Sequence, residues 1–159
     1  MIAIRRVIGC SLIIYAIVMH SSCRKSTRFD PDYFVFGDSY NECEGDCAHY
    51  FMLSNGKLYE DAFDKKPKRL KFKRKSLSDD QREIANKLFV NFPEFLKNDT
   101  GSTFGAPDSR DQGELYIELK ERGKKSVNWR IDWDESHVPN EIQEYVKQMK
   151  KDIQTIYLH

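Results

Sequence analysis

Cys43 and Cys47 enclose Glu44-Gly45-Asp46, and His49 follows almost at once. Two thiols and an imidazole at that spacing admit three chemistries: a structural disulfide, a metal site, or a redox-active pair. A strand would carry four residues about 13 Å, whereas a disulfide needs Cα atoms roughly 4.4–6.8 Å apart. The cysteines can therefore join only if the intervening tripeptide turns back, and Gly45 makes that turn cheap. A metal would draw on Cys43, Cys47 and His49 with Asp46 or Glu44 as a fourth ligand. Structural zinc sites usually show two-residue gaps and a second pair of ligands, which this chain lacks. A thiol-redox enzyme typically carries Cys-x-x-Cys at a helix start, where the dipole lowers a thiol pKa; here the gap is longer and a strand pattern follows. A hydrolase needs a nucleophile, a base and an orienting group. His49, His137 and scattered serines supply no elbow motif. The disulfide is the favoured reading, and we assign no catalytic residue, metal or cofactor. A small envelope enzyme or thiol-redox protein using Cys43 and Cys47 is the alternative from another class.

The elements that position this turn follow from periodicity. Asn55-Gly56 is a hairpin signal, because both central residues of a type I′ turn need positive φ; Leu53 then faces Leu58, and Met52 faces Tyr59. Before the cysteines, Tyr33-Phe34-Val35-Phe36 is apolar on both faces and reads as a buried strand. Beyond the hairpin, Leu70 and Phe72 alternate with Lys71 and Lys73, which predicts a fourth strand with one face in the core, opened by Pro67. Ser78-Asp79-Asp80-Gln81 has the form of a capping box. Ile84, Ala85, Leu88 and Phe89 then share a helix face until Phe92-Pro93 breaks it. Leu115, Ile117 and Leu119 alternate with Glu114, Tyr116 and Glu118, and Val127, Trp129, Ile131 and Trp133 resume the pattern as a second hairpin. Pro139 opens a last helix whose apolar positions, Ile142, Tyr145, Val146, Met149, Ile153 and Ile156, keep the helical period. The expected architecture is α+β: an antiparallel sheet of about six strands, in the order four strands, helix, two strands, helix, with both helices packed on one face.

The N-terminus bears on compartment. Arg5 and Arg6 precede an apolar run from Val7 to Met19, too short to span a bilayer but matched to the apolar region of a secretory signal. His20-Ser21-Ser22-Cys23 follows. Ser21, Ser22 and Cys23 resemble a bacterial lipobox, in which the cysteine is lipidated and becomes the first mature residue; His20 stands where an aliphatic residue is usual. We read residues 1–22 as a cleaved signal peptide, 23–32 as a lipidated N-terminus and polar tether, and 33–159 as a single globular domain. If Cys10 leaves with the leader and Cys23 carries lipid, Cys43 and Cys47 remain as an even pair in an oxidising compartment.

Two stretches invite a binding role. Lys68, Arg69, Lys71, Lys73, Arg74 and Lys75 form a basic strip that fits an anionic surface, lipid headgroups or an acidic envelope polymer, each charge adding about 1 kcal/mol there. The plainer reading is a solvated strand whose lysines block edge-to-edge pairing. Residues 98–113 lack periodicity and are dense in turn residues, and a loop this long offers Asp108, Arg110 and Asp111 as a small ligand site.

Composition excludes more than it assigns. The 26 Lys and Arg against 25 Asp and Glu give a net +1, and loss of Arg5 and Arg6 with the leader leaves 24 against 25. That balance points to no polyanion by bulk charge. No glycine-rich phosphate loop, nucleotide fingerprint or repeat is present. Aromatic residues on strands suggest a stacking platform for nucleic acid, but export argues against nucleic acid as a partner, and inward-facing positions account for most of them. Cys43-x-Gly45-x-Cys47, Tyr50, Asn55-Gly56-Lys57-Leu58-Tyr59, Asp111-Gln112-Gly113 and Val138-Pro139 together resemble a family of small uncharacterised Gram-negative lipoproteins. The resemblance spans about Tyr33 to Ile156. It implies the fold and a cell-envelope location, lipid-anchored to the inner or outer membrane, and adds no catalytic residues. The expected function is a binding or protein-interaction module. Its partner is the membrane through the anchor, with another envelope protein or polymer at the sheet surface left open by the helices or at the 98–113 loop.

Overall fold

The strand at the middle of the sheet is the one whose sequence is apolar on both faces. β1 (Pro31–Ser39) pairs antiparallel with β2 (Ala48–Ser54) on one side and with β5 (Glu114–Glu121) on the other. Phe34, Val35 and Phe36 are all buried in consequence. The structure is a computed structural model that describes residues 31–63, 69–109 and 112–159. The expected signal peptide, Cys23, most of the expected tether, Pro67, Lys68, Arg110 and Asp111 lie outside the described residues.

β3 (Lys57–Glu60) closes the first hairpin, with Leu53 opposite Leu58 and Met52 opposite Tyr59. Asn55 and Gly56 take φ of 50° and 69°, the left-handed pair that a two-residue turn requires. Helix α1 (Asp79–Val90) starts at a capping box in which the Ser78 hydroxyl accepts from the Gln81 amide and the Gln81 side chain accepts from the Ser78 amide. A single turn, α2 (Glu94–Lys97), follows Pro93. Then come β4 (Thr103–Phe104), β5, β6 (Val127–Asp132), a 3-10 turn at Glu135–His137, and α3 (Asn140–Tyr157). The sheet order is β3-β2-β1-β5-β6-β4.

Both main helices cover one face. Phe34, Phe36, Phe51, Leu58, Leu115, Ile117, Trp129 and Ile131 point toward Ala85 and Leu88 of α1 and toward Ile142, Val146, Met149, Ile153 and Ile156 of α3. α3 spans about 27 Å at 1.5 Å per residue, long enough to cross most of the sheet. Gln81 Nε2 donates to the Ile156 carbonyl (2.7 Å) and ties the start of α1 to the end of α3. No helix among the described residues is long and apolar enough to cross a membrane.

The α+β class, the six strands and the common helix face match the sequence expectation, and three details differ. β1 begins at Pro31, two residues before the expected strand start at Tyr33. The expected fourth strand is reduced to one bridge between Asp61 and Phe72. Asp61 Oδ1 accepts from the amides of Ala62 (2.7 Å) and Lys71 (3.3 Å), so a carboxylate stands in for part of a ladder. Leu70 and Phe72 do turn inward, but against the helix-free face of the sheet. The missing strand is replaced by β4, which lies parallel to β6, with Thr103 opposite Arg130. Asp99 builds that arrangement: Oδ1 accepts from the Gly101 amide and the Trp129 indole, and Oδ2 from the Ser102 hydroxyl. Gly101, at φ 101°, carries the chain into register.

Candidate functional site

Strand alternation sends a second set of side chains to the face without helices. Tyr33, Val35 and Gly37 come from β1, Tyr50 and Met52 from β2, Glu114, Tyr116 and Glu118 from β5, and Arg130 from β6. Residues 69–72 pass along this face, and Arg69, Leu70 and Phe72 form its wall. All of these except Gly37, which lies beneath the tyrosines, line a hollow of about 550 Å³. Val35 and Tyr50 are only 2% and 3% exposed although no helix covers them, because the wall and the tyrosine rings close over them.

Gly37 sets the floor. Tyr50 and Tyr116 flank it on the neighbouring strands, and their rings meet edge to face with centroids 5.9 Å apart. A Cβ on Gly37 would lie 2.7 Å from Tyr50 Cδ1 and 2.2 Å from the His49 carbonyl oxygen, so only glycine permits this approach.

Two carboxylates fix the polarity of the hollow. Glu114, 1% exposed, accepts from Arg130 through Nε (2.8 Å) and Nη2. Glu118 is held differently: Tyr33 donates to its Oε1 and Tyr116 to its Oε2, each at 2.7 Å. Burial, then the hydrogen bond to Glu118, raises both phenol pKa values. Burial pushes Tyr50 up to about 12. All three phenols therefore stay protonated at neutral pH. Glu118 makes no ion pair among the described residues, and a carboxylate with two bonds accepted keeps acceptor capacity to spare.

A second cluster lies at the Ser39 end of the sheet. Asp38 Oδ1 is 2.8 Å from His49 Nδ1, and Asp46 Oδ2 is 3.6 Å from Nε2. The Tyr157 hydroxyl donates to Asp46 and its ring packs on the imidazole, centroids 4.1 Å apart. The hydrogen bond to Asp38 raises the His49 pKa, against the opposing effect of burial. Nε2 is shielded from solvent, so the imidazole is placed to tie β2 to the cysteine turn rather than to meet a solute.

Cys43 and Cys47 are joined, with sulfurs 1.94 Å and Cα atoms 5.6 Å apart. Their turn leads into β2, not into a helix start. Among the described residues no three His, Cys, Asp or Glu side chains gather as a metal site. Of the expected ligand loop, Asp108 is described: at φ 60° it accepts from the Asn41 amide (3.4 Å), and its own amide donates to the Gly113 carbonyl. The basic strip divides. Arg69 lines the hollow, Lys73 donates to Glu60 (2.7 Å), and Lys71, Arg74 and Lys75 are exposed. Sequence reasoning missed the tyrosine-carboxylate cluster, although parity within the strands signals it. Tyr33, Tyr50 and Tyr116 alternate with the inward Phe34, Phe51 and Ile117, so the three tyrosines belong to the opposite face. In comparisons with known proteins, no family model matches the chain and none of the curated proteins matches it.

Proposed function

We propose that this chain is a lipid-anchored cell-envelope binding module that engages an envelope protein or polymer at the helix-free face of its sheet. The observation that carries the reading is the hollow over Gly37. It is concave, mostly apolar, and holds a few polar groups already oriented by hydrogen bonds, the usual make-up of a ligand site. The lipobox-like Ser21-Ser22-Cys23 and the family resemblance support the envelope location, and the joined cysteines suit an oxidising compartment.

Site-specific photocrosslinking of the full chain in intact envelopes tests the site. A photoreactive residue replacing Met52, in the hollow, should yield a reproducible adduct. The same residue replacing Val90, exposed on α1, should not. Adducts from Val90 alone, or equally from both, would overturn the proposal. Cys23→Ser should move the chain from the membrane to the soluble fraction, and an unchanged distribution would remove the anchor from the account.

A further inference from the structure

We propose that the hollow takes an alkylammonium group, its charged head at Glu118 and its apolar stem along Met52, Leu70 and Phe72. This rests on the reading of the hollow as the binding site and names its ligand class. Glu118 presents a carboxylate whose two oxygens are aligned by Tyr33 and Tyr116. Those phenols spend their donors on Glu118, so what they keep for a ligand is oxygen lone pairs and the aromatic ring, both of which suit a cation. A phenol that donates to a carboxylate gains electron density in its ring, and electron-rich faces attract cations, most strongly where water is excluded. Tyr50, edge to face with Tyr116 over Gly37, completes the aromatic floor.

Two arginines and two glutamates line the hollow, so the placement of the charges rather than their balance distinguishes a cation from an anion. Arg130 is engaged by Glu114 through Nε and Nη2, which leaves Glu118 as the carboxylate facing the hollow without an ion pair among the described residues. An anion at Arg130 would sit beside both glutamates. Arg69, exposed on the wall, faces the same hollow from residues 69–72 rather than from the sheet. A ligand with neither a positive charge nor a donor would strip water from Glu118 without compensation, which is costly; a cationic head offsets that loss by charge attraction, and by N–H donation where its nitrogen carries hydrogens. About 550 Å³ exceeds the volume of a head alone and leaves room for a stem against Met52, Leu70 and Phe72.

The test is an amide-shift NMR titration of the mature chain with two cation and neutral-isostere pairs. One pair is choline and 3,3-dimethylbutan-1-ol. The other is N-acetyl-lysine methylamide and its neutral isostere N-acetyl-2-aminoheptanoic acid methylamide, which reports whether a side chain of a peptide serves as well as a free quaternary ammonium. Both cations should saturate shifts at Gly37, Tyr50, Tyr116 and Glu118, with dissociation constants on the order of millimolar. The neutral isosteres and Glu118→Gln should bind about tenfold more weakly or not at all. The isostere comparison uses the unaltered protein and so does not depend on the variant folding. Equal binding of charged and neutral members would overturn the ammonium class while leaving an apolar site. No binding of either, with the Met52 crosslink intact, would overturn the ligand class alone. No binding and no crosslink would overturn the site as well.

Discussion

Gly37→Ala sets two opposed effects against each other at the floor of the hollow, and their magnitudes decide the sign. Replacing a glycine inside a strand relieves roughly 0.5–1 kcal/mol of unfolded-state entropy. The new methyl, however, would meet the His49 carbonyl oxygen at 2.2 Å and Tyr50 Cα at 2.8 Å. Ordinary carbon-oxygen contacts fall at about 3.3–3.6 Å, so the shortfall is about 1 Å. Neither neighbour is the loose end of a side chain. Both belong to the backbone of β2, locked in register with β1 from Phe34 opposite Leu53 to Ser39 opposite Ala48. Overpacking of this kind typically costs about 1–3 kcal/mol and occasionally more. A backbone overlap of about 1 Å belongs in the upper part of that range, about 2–3 kcal/mol; less the roughly 0.5–1 kcal/mol entropy gain, the expected net loss is about 1–2.5 kcal/mol. Urea unfolding followed by the fluorescence of Trp129, 1% exposed, measures it. Gly123→Ala is the control: nothing lies within 4 Å of its Cβ, but its φ is 76°, so it should lose only about 1 kcal/mol through backbone strain. A Gly37→Ala protein as stable as the parent, or more so, would refute the assignment of a close approach beneath Tyr50.

Three further outcomes follow from the same contacts. Reducing Cys43–Cys47 reopens a loop of sequence separation 4, and chain entropy then predicts a loss of about 2 kcal/mol, read as a lower urea midpoint with and without reductant. The raised His49 pKa binds the proton more tightly in the folded chain than in the unfolded one. Its contribution is fully present below about pH 6.5 and is lost as pH rises through the raised value. Stability should fall across that window, and Asp38→Asn should flatten the fall, although Asp46 and Tyr157 also face the ring. Ser78→Ala removes the acceptor for the Gln81 amide and should cost about 1 kcal/mol, with loss of helical ellipticity confined to a fraction of the total.

Much of this was legible from the residues because local rules carried it. Asn55-Gly56 determined the hairpin register, Ser78 and Gln81 the start of α1, and the period of Ile142, Tyr145, Val146, Met149, Ile153 and Ile156 the buried stripe of α3. What escaped depends on pairings distant in sequence. The two-residue alternation at Leu70 and Phe72 marks which side chains turn inward, not which layer receives them. β4 is only two residues long and owes its place to Asp99 and Trp129, about thirty positions apart. The Glu118 site unites β1 and β5 across 85 positions, and His49 finds Asp38 through cross-strand register. Neither partner is visible until β1 is known to lie between β2 and β5.

Hydroxyl-radical footprinting of the full chain, in native envelopes and again after purification, tests the hollow most directly. The account predicts that Tyr33, Met52 and Phe72 are oxidised less in the envelope, while the exposed Phe63, Val90 and Leu158 react equally in both states. Protection confined to Val90 and the helical face, with the hollow equally reactive in both preparations, would contradict it.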